Sequence, residues 1–218
     1  MNTFDWGVIV RALPFLWEGM KISLLLTAAG IAGGIVFGTV LAALRLSPVR
    51  VFAVVASLYV NTFRSLPLIL VLFWFYFLMP LAVGRPIGAL PSAMTAFILF
   101  EAAYFCEIIR AGMMSVPRGQ VFAAKATGMT NMQVLRFVVL PQAFRAMAPV
   151  MLTQSIVMFQ DTSLVYVITL RDFMTAASVV ANRDGRVIEL YCFAAAVYFV
   201  ICFAASLAVR ANQRQGAA

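Results

Sequence analysis

The run ISLLLTAAGIAGGIVFGTVLAAL, Ile22 to Leu44, is uncharged between Lys21 and Arg45. A helix needs about 20 apolar residues to cross the hydrocarbon core of a bilayer. In lipid, only a helix or a closed barrel satisfies its own backbone, so this stretch fixes the solvent before it fixes the fold. Four more runs repeat the pattern: Val51 to Met79, Ser92 to Ile109, Phe137 to Phe159 and Val187 to Val209. The second exceeds one crossing and holds Arg64 and Pro67, which predicts a tilted or broken span; the fourth also carries arginine and proline. Of the 218 residues, 64% are hydrophobic and 11% charged, more apolar surface than a soluble domain of this size can hide. The expected fold is an all-α integral membrane protein of about five transmembrane helices.

Basic residues in the short loops set orientation. With the N-terminus outside, the inner side holds Arg45, Arg50, Arg110, Arg118, Lys125, Arg136, Arg210 and Arg214. The outer side holds Arg11, Lys21, Arg85, Arg171, Arg183 and Arg186, interspersed with Asp5, Glu18, Asp172, Asp184 and Glu189. The bias favours N-out, C-in. Residues 1–21 lack the basic start of a signal peptide and read as an extracytoplasmic amphipathic lead-in at the membrane surface. Residues 22–209 form the membrane domain, and 210–218 a cytoplasmic tail. The net charge of +8 is spread between apolar runs, so topology explains it and no nucleic-acid partner is expected.

Several chemistries are excluded. No histidine is present, and Cys106, Cys192 and Cys202 lie within apolar runs as small core residues, without a CxxC pair. No metal site and no enzymatic activity are expected. Gly30, Gly34 and Gly38 recur every four residues on one face of the first span, a surface on which another helix can approach closely.

One segment breaks the apolar monotony: FAAKATGMTNMQVLRFVVLP, Phe122 to Pro141. Phe122, Ala126 and Met129 share a helical face, and Gly128 can adopt the positive φ that ends a helix. Thr130 and Gln133 then fit a capping box. Helix, turn and capped helix follow in order on the inner side, offering apolar side chains either to another protein's groove or to the chain's own bundle.

Polar residues inside the spans mark a possible pathway. Arg64, beside Asn61, Thr62, Ser65 and Pro67, sits where a charge costs on the order of 3 kcal/mol. It can meet an anionic group on the pathway or pair with an acid that locks the bundle. Asp161, with Gln154, Ser155 and Gln160 nearby, can face an ammonium, pair with Arg64 or cap a short helix. Glu107 and Arg110 form an i, i+3 pair, and Arg145 snorkels or meets a loop carbonyl. Glu101 and Glu107 do not share a face neatly, so paired-carboxylate catalysis is unsupported.

The segment around Gly128 resembles the cytoplasmic EAA loop of ABC-importer permeases. Ala123-Ala124, Gly128, Val138 and Leu140-Pro141 fall at that motif's spacing, while Phe122 stands where the motif has Glu. The literal EAA at Glu101 to Ala103 has the wrong downstream spacing. NTFRSLPLILVLFWFY, FEAAYFCEIIRAG, LPQAFRAMAPVMLTQSIVMFQDTSLVYV and NRDG are similar to the polar amino-acid branch of these permeases, close to glutamate/aspartate importers. The resemblance implies the type I permease fold in a bacterial inner membrane. It implies coupling through residues 118–141, with Phe122, Ala123, Ala124, Ala126, Gly128, Met129, Leu140 and Pro141 at the contact. The implied partners are a cytoplasmic ATP-binding subunit dimer, a second permease (related or identical), an extracytoplasmic amino-acid-binding protein and membrane lipid. It also implies that Arg64 can serve the α-carboxylate that all amino acids share. No cofactor is expected on this chain: it holds no GxxxxGK[ST] loop, so ATP belongs to the partner. The alternative is a stand-alone ion-coupled carrier or channel, a class that often shows two related halves.

Overall fold

The structure, a computed structural model, describes residues 4–215. Helix α1, Trp6–Arg45, runs for 40 residues, about 60 Å, or twice the hydrocarbon thickness. Asp5 caps it, accepting a 2.8 Å bond from the Gly7 amide. The separate lead-in expected up to residue 21 is instead the first half of this helix. Its buried stripe Val8, Ala12, Leu16 and Met20 joins one core cluster with Phe173, Ala177, Val180 and Leu190. Trp6, Val10, Leu13 and Trp17 on the same stretch stay exposed. Residues 1–3 of the lead-in and 216–218 of the tail lie outside the described residues.

The long second run is broken as expected. Helix α2, Arg50–Arg64, is followed by Ser65, Leu66 and Pro67, then by α3, Leu68–Phe73. A π-helical turn, Trp74–Leu78, leads into α4, Met79–Val83, and the chain bends by 105° between the two arms. Proline offers no amide to the preceding turn and pushes Leu66 away from helical dihedrals. By length and composition, four helices among the described residues are able to cross a membrane, or five with this bent pair counted as one.

Helix α5, Ala89–Met114, is the hub. Of its most apolar stretch 61% is buried, against 11 to 22% for the other long helices. Helix α1 reaches it along the glycine face: a Cβ on Gly38 would stand 2.9 Å from the Cys106 nitrogen and 3.0 Å from the Ala102 carbonyl oxygen. Only a residue without a side chain admits backbone that close. Gly34 lies against Glu101 and Phe105 in the same way, and Gly30 against Met158.

The rest of the chain is α6, Arg118–Ala126; α7, Asn131–Val134; a π-helical turn, Leu135–Val139; and α8, Leu140–Asp161. A 3-10 helix, Thr162–Ile168, leads to α9, Phe173–Asp184, and α10, Val187–Gln215. Asp172 caps α9 by accepting from the Met174 and Thr175 amides at 3.0 and 2.9 Å. Ser23 of α1 takes the Phe173 amide at 3.1 Å, fastening α9 to the first span. All three cysteines are free; Cys106 is buried and Cys202 half-buried, but Cys192 is exposed and not a core residue.

Candidate functional site: a cationic cavity and a coupling turn

Arg64, the last residue of α2, lies beside the hub helix. Its guanidinium stands 5.6 Å from the centre of the Tyr104 ring and 3.8 Å from a Glu107 carboxylate oxygen. Glu107 is already engaged: it makes ion pairs with Arg45 from α1 and with Arg110 one turn along α5. The i, i+3 pair with Arg110 is thus present, and Arg45 joins it from 62 residues away. Three guanidiniums surround one carboxylate, leaving a local excess of positive charge. Among the described residues Arg64 makes no hydrogen bond, so its donor fork remains available.

Arg64, Tyr104, Glu107, Ser115, Met147 and Gln154 line a cavity of about 370 Å³ between α2, α5 and α8. Gln154 is held from behind by Glu101, a fully buried carboxylate on α5. The Gln154 amide nitrogen donates to both Glu101 oxygens, at 3.2 and 3.1 Å. The hydroxyl of Tyr59 on α2 donates to the Leu99 carbonyl at 2.7 Å and ties the Arg64 arm to the hub.

The other polar residues of α8 do not converge here. Ser155 donates to the Met151 carbonyl at 2.9 Å and lines an apolar cleft against α1 and α10. Gln160 faces a different hollow, with Tyr198 and Arg210. Asp161 is half-buried. It makes no side-chain cap to the 3-10 helix that follows, and the ion pair of Arg64 goes to Glu107 instead. Of its three open roles, pairing with Arg64 and capping are absent, and among the described residues its carboxylate has no hydrogen-bond partner. Arg145 is exposed.

Glu101, Tyr104 and Glu107 were not expected at the cavity. A signal for two of them existed: carboxylates inside an apolar run are costly unless partnered, and their partners lie on other spans.

Beyond the same C-terminal end of α5 the chain forms the helix-turn-helix segment whose sequence resembles a coupling loop. Phe122 on α6 is 66% exposed, and Met132 in the following turn 70%. Ala123 and Ala126 are exposed and Ala124 half-buried. Gly128 takes φ 85°, which ends α6 and turns the chain. Thr130 closes the expected capping box: its Oγ1 accepts from the Gln133 amide at 3.3 Å, and its own amide donates to Gln133 Oε1 at 2.8 Å. Met129, Leu140 and Pro141 are exposed. The apolar face thus stays open and is not folded back on the bundle.

Residues 34–215 match the family described as the binding-protein-dependent transport system inner membrane component. The chain belongs to this family. The permease is 50% identical, over the whole of both chains, to the glutamate/aspartate import permease protein GltK of Escherichia coli. It is 35% identical to the probable glutamine ABC transporter permease protein GlnP of Bacillus subtilis, covering 91% of this chain and 92% of that one. The crystal structure of an amino acid ABC transporter with histidines superposes with a TM-score of 0.92 at 30% identity, covering 98% of this chain and 100% of that one. An inward-facing methionine ABC transporter shares the fold, at TM-score 0.66 and 22% identity. The permease is therefore a multi-pass inner-membrane subunit of an ABC importer, and its role is in transport.

Proposed function

We propose that this permease forms the path for glutamate and aspartate, with ATP hydrolysed by a partner subunit. The observation that carries the substrate is the 50% identity to a glutamate/aspartate import permease across the full length of both chains. With the N-terminus outside, α6 and its capped turn face the cytoplasm and seat in a dimer of ATP-binding subunits. Phe122, Ala126 and Met129 supply the contact by apolar burial, without the carboxylate that Phe122 replaces. A second permease, related or identical, completes the pathway, and an extracytoplasmic binding protein delivers substrate.

The chain offers a mechanical route between these ends. The turn at Gly128 passes through α7 and the π-helical turn into α8 without interruption, and α8 carries Gln154 into the cavity of Arg64. A displacement of the turn is thus felt at the cavity wall. Arg64 meets a substrate carboxylate there, and Asp161, outside this cavity and farther along α8, offers a separate acceptor on the path.

Reconstitution tests the proposal. Proteoliposomes holding the permease, its ATPase, its second permease and the binding protein should take up labelled glutamate only with ATP inside. Uptake by the permease alone, driven by an ion gradient, would overturn it in favour of a carrier. A covalent bridge between Ala126→Cys and the ATPase should form in the working assembly; its absence removes the coupling role of α6.

A further inference from the structure

We infer that Glu101 is a positioning residue that sets which end of the Gln154 amide faces the substrate. The inference rests on the reading of the Arg64 cavity as part of the pathway. A carboxyl group whose two oxygens both accept from one nitrogen presents only acceptors to it. Placed behind Gln154, it selects the NH2 end of that side chain, and both Glu101 oxygens take their bonds from the same nitrogen. The Gln154 carbonyl oxygen, which accepts no hydrogen bond among the described residues, is then left for the cavity.

The arrangement has a chemical sense. Arg64 contributes donors to the cavity and Gln154 contributes an acceptor. These are the two partners that the α-carboxylate and α-ammonium of an amino acid require. A reversed amide would set NH2 donors toward the ammonium, which has no acceptor to offer. Glu101 holds its own place because Gly34 of α1 lies against its Cβ and leaves it no exposed surface. A buried acid this far from water is costly, and orientation of a substrate ligand is a role that answers the cost.

The test uses the complete reconstituted importer and reads the KM for glutamate separately from kcat. Glu101→Met keeps the side-chain length and removes both acceptors, so Gln154 loses its anchor and KM should rise about tenfold, the scale of one charge-assisted hydrogen bond. The near-isosteric Glu101→Gln keeps a bond across the same two helices but offers Gln154 a donor as readily as an acceptor, so the amide is free to turn. It should assemble with the ATPase and still show the raised KM. A purely structural role predicts the reverse, with Glu101→Gln keeping the native KM. That result, or a KM for Glu101→Met within about twofold of the native value, would overturn the inference. Arg64→Ala run in parallel separates the two levels. If it transports normally, the pathway reading falls; if it fails while both Glu101 variants behave natively, only the role of Glu101 falls.

Discussion

The coupling turn and the cationic cavity are built by opposite means. Around Gly128 every determinant is local: a positive φ, a hydroxyl and an amide three residues apart, and apolar side chains left bare. Around Arg64 only the Glu107–Arg110 pair is local. Arg45 reaches Glu107 across 62 residues and Gln154 reaches Glu101 across 53, and each contact exists only because α1 and α8 lie against α5. A surface that must dock elsewhere needs a stable local shape and no internal partner. A site inside lipid must satisfy charge, and satisfying it takes several helices.

The strongest break of this contrast is expected at the cavity. Among the described residues, Arg64→Ala removes the one guanidinium around Glu107 that makes no hydrogen bond, and Asp161→Ala, farther along α8, removes a carboxylate without a hydrogen-bond partner. Both should abolish ATP-dependent uptake while membrane insertion and assembly, followed by purification of the complex, survive. Insertion should survive because Glu107 keeps Arg45 and Arg110. Normal transport by both variants would take them off the pathway.

A pair of glycines sharpens the same comparison at lower cost. Gly38→Val places methyl groups where backbone atoms of α5 stand 2.9 and 3.0 Å from a bare Cβ. Backbone cannot yield as a side-chain tip can, so the helices must part, at about 1–3 kcal/mol by analogy with overpacked cores. The yield of assembled complex should fall. Gly128→Val meets nothing within 4 Å and suffers only from φ 85°, about 1–2 kcal/mol. Its complex should assemble in native amount but hydrolyse ATP with less uptake per turnover. Equal assembly defects in both would erase the distinction between packing glycine and turning glycine.

The same division decides what could be read in the sequence. Apolar length alone places five spans, and Arg64 with Pro67 foretells the break in the second. The capping box at Thr130 is written in consecutive residues and is found as read. The stripe Val8 to Met20 is apolar toward whatever it touches, and periodicity cannot say that α9 and α10 are its partners. Glu101 was passed over as a false start of a motif. Its importance lies in Gln154, and the meeting of two separate spans is a fact of tertiary packing. Ser155 and Gln160 were grouped with Gln154 by proximity along the chain, yet successive helical positions point about 100° apart and line different hollows.

The smallest expected effect lies in the cap itself. Thr130→Ala deletes the acceptor of the 3.3 Å bond from the Gln133 amide. It leaves the shorter bond at 2.8 Å, because that donor is the residue 130 backbone. The loss should therefore be near the low end for N-caps, about 0.5–1 kcal/mol, and Thr130→Ser should recover it. Gln133→Leu deletes the stronger half and should cost as much or more. Faster hydrogen exchange at the Gln133 amide reads the cap directly, and uptake should decline only a few-fold, about what that free energy allows. A collapse of uptake as complete as that of Arg64→Ala would mean that the turn is held by its cap alone. The seated ATPase would then add no restraint of its own, and the picture of an open surface shaped locally and completed by its partner would fail.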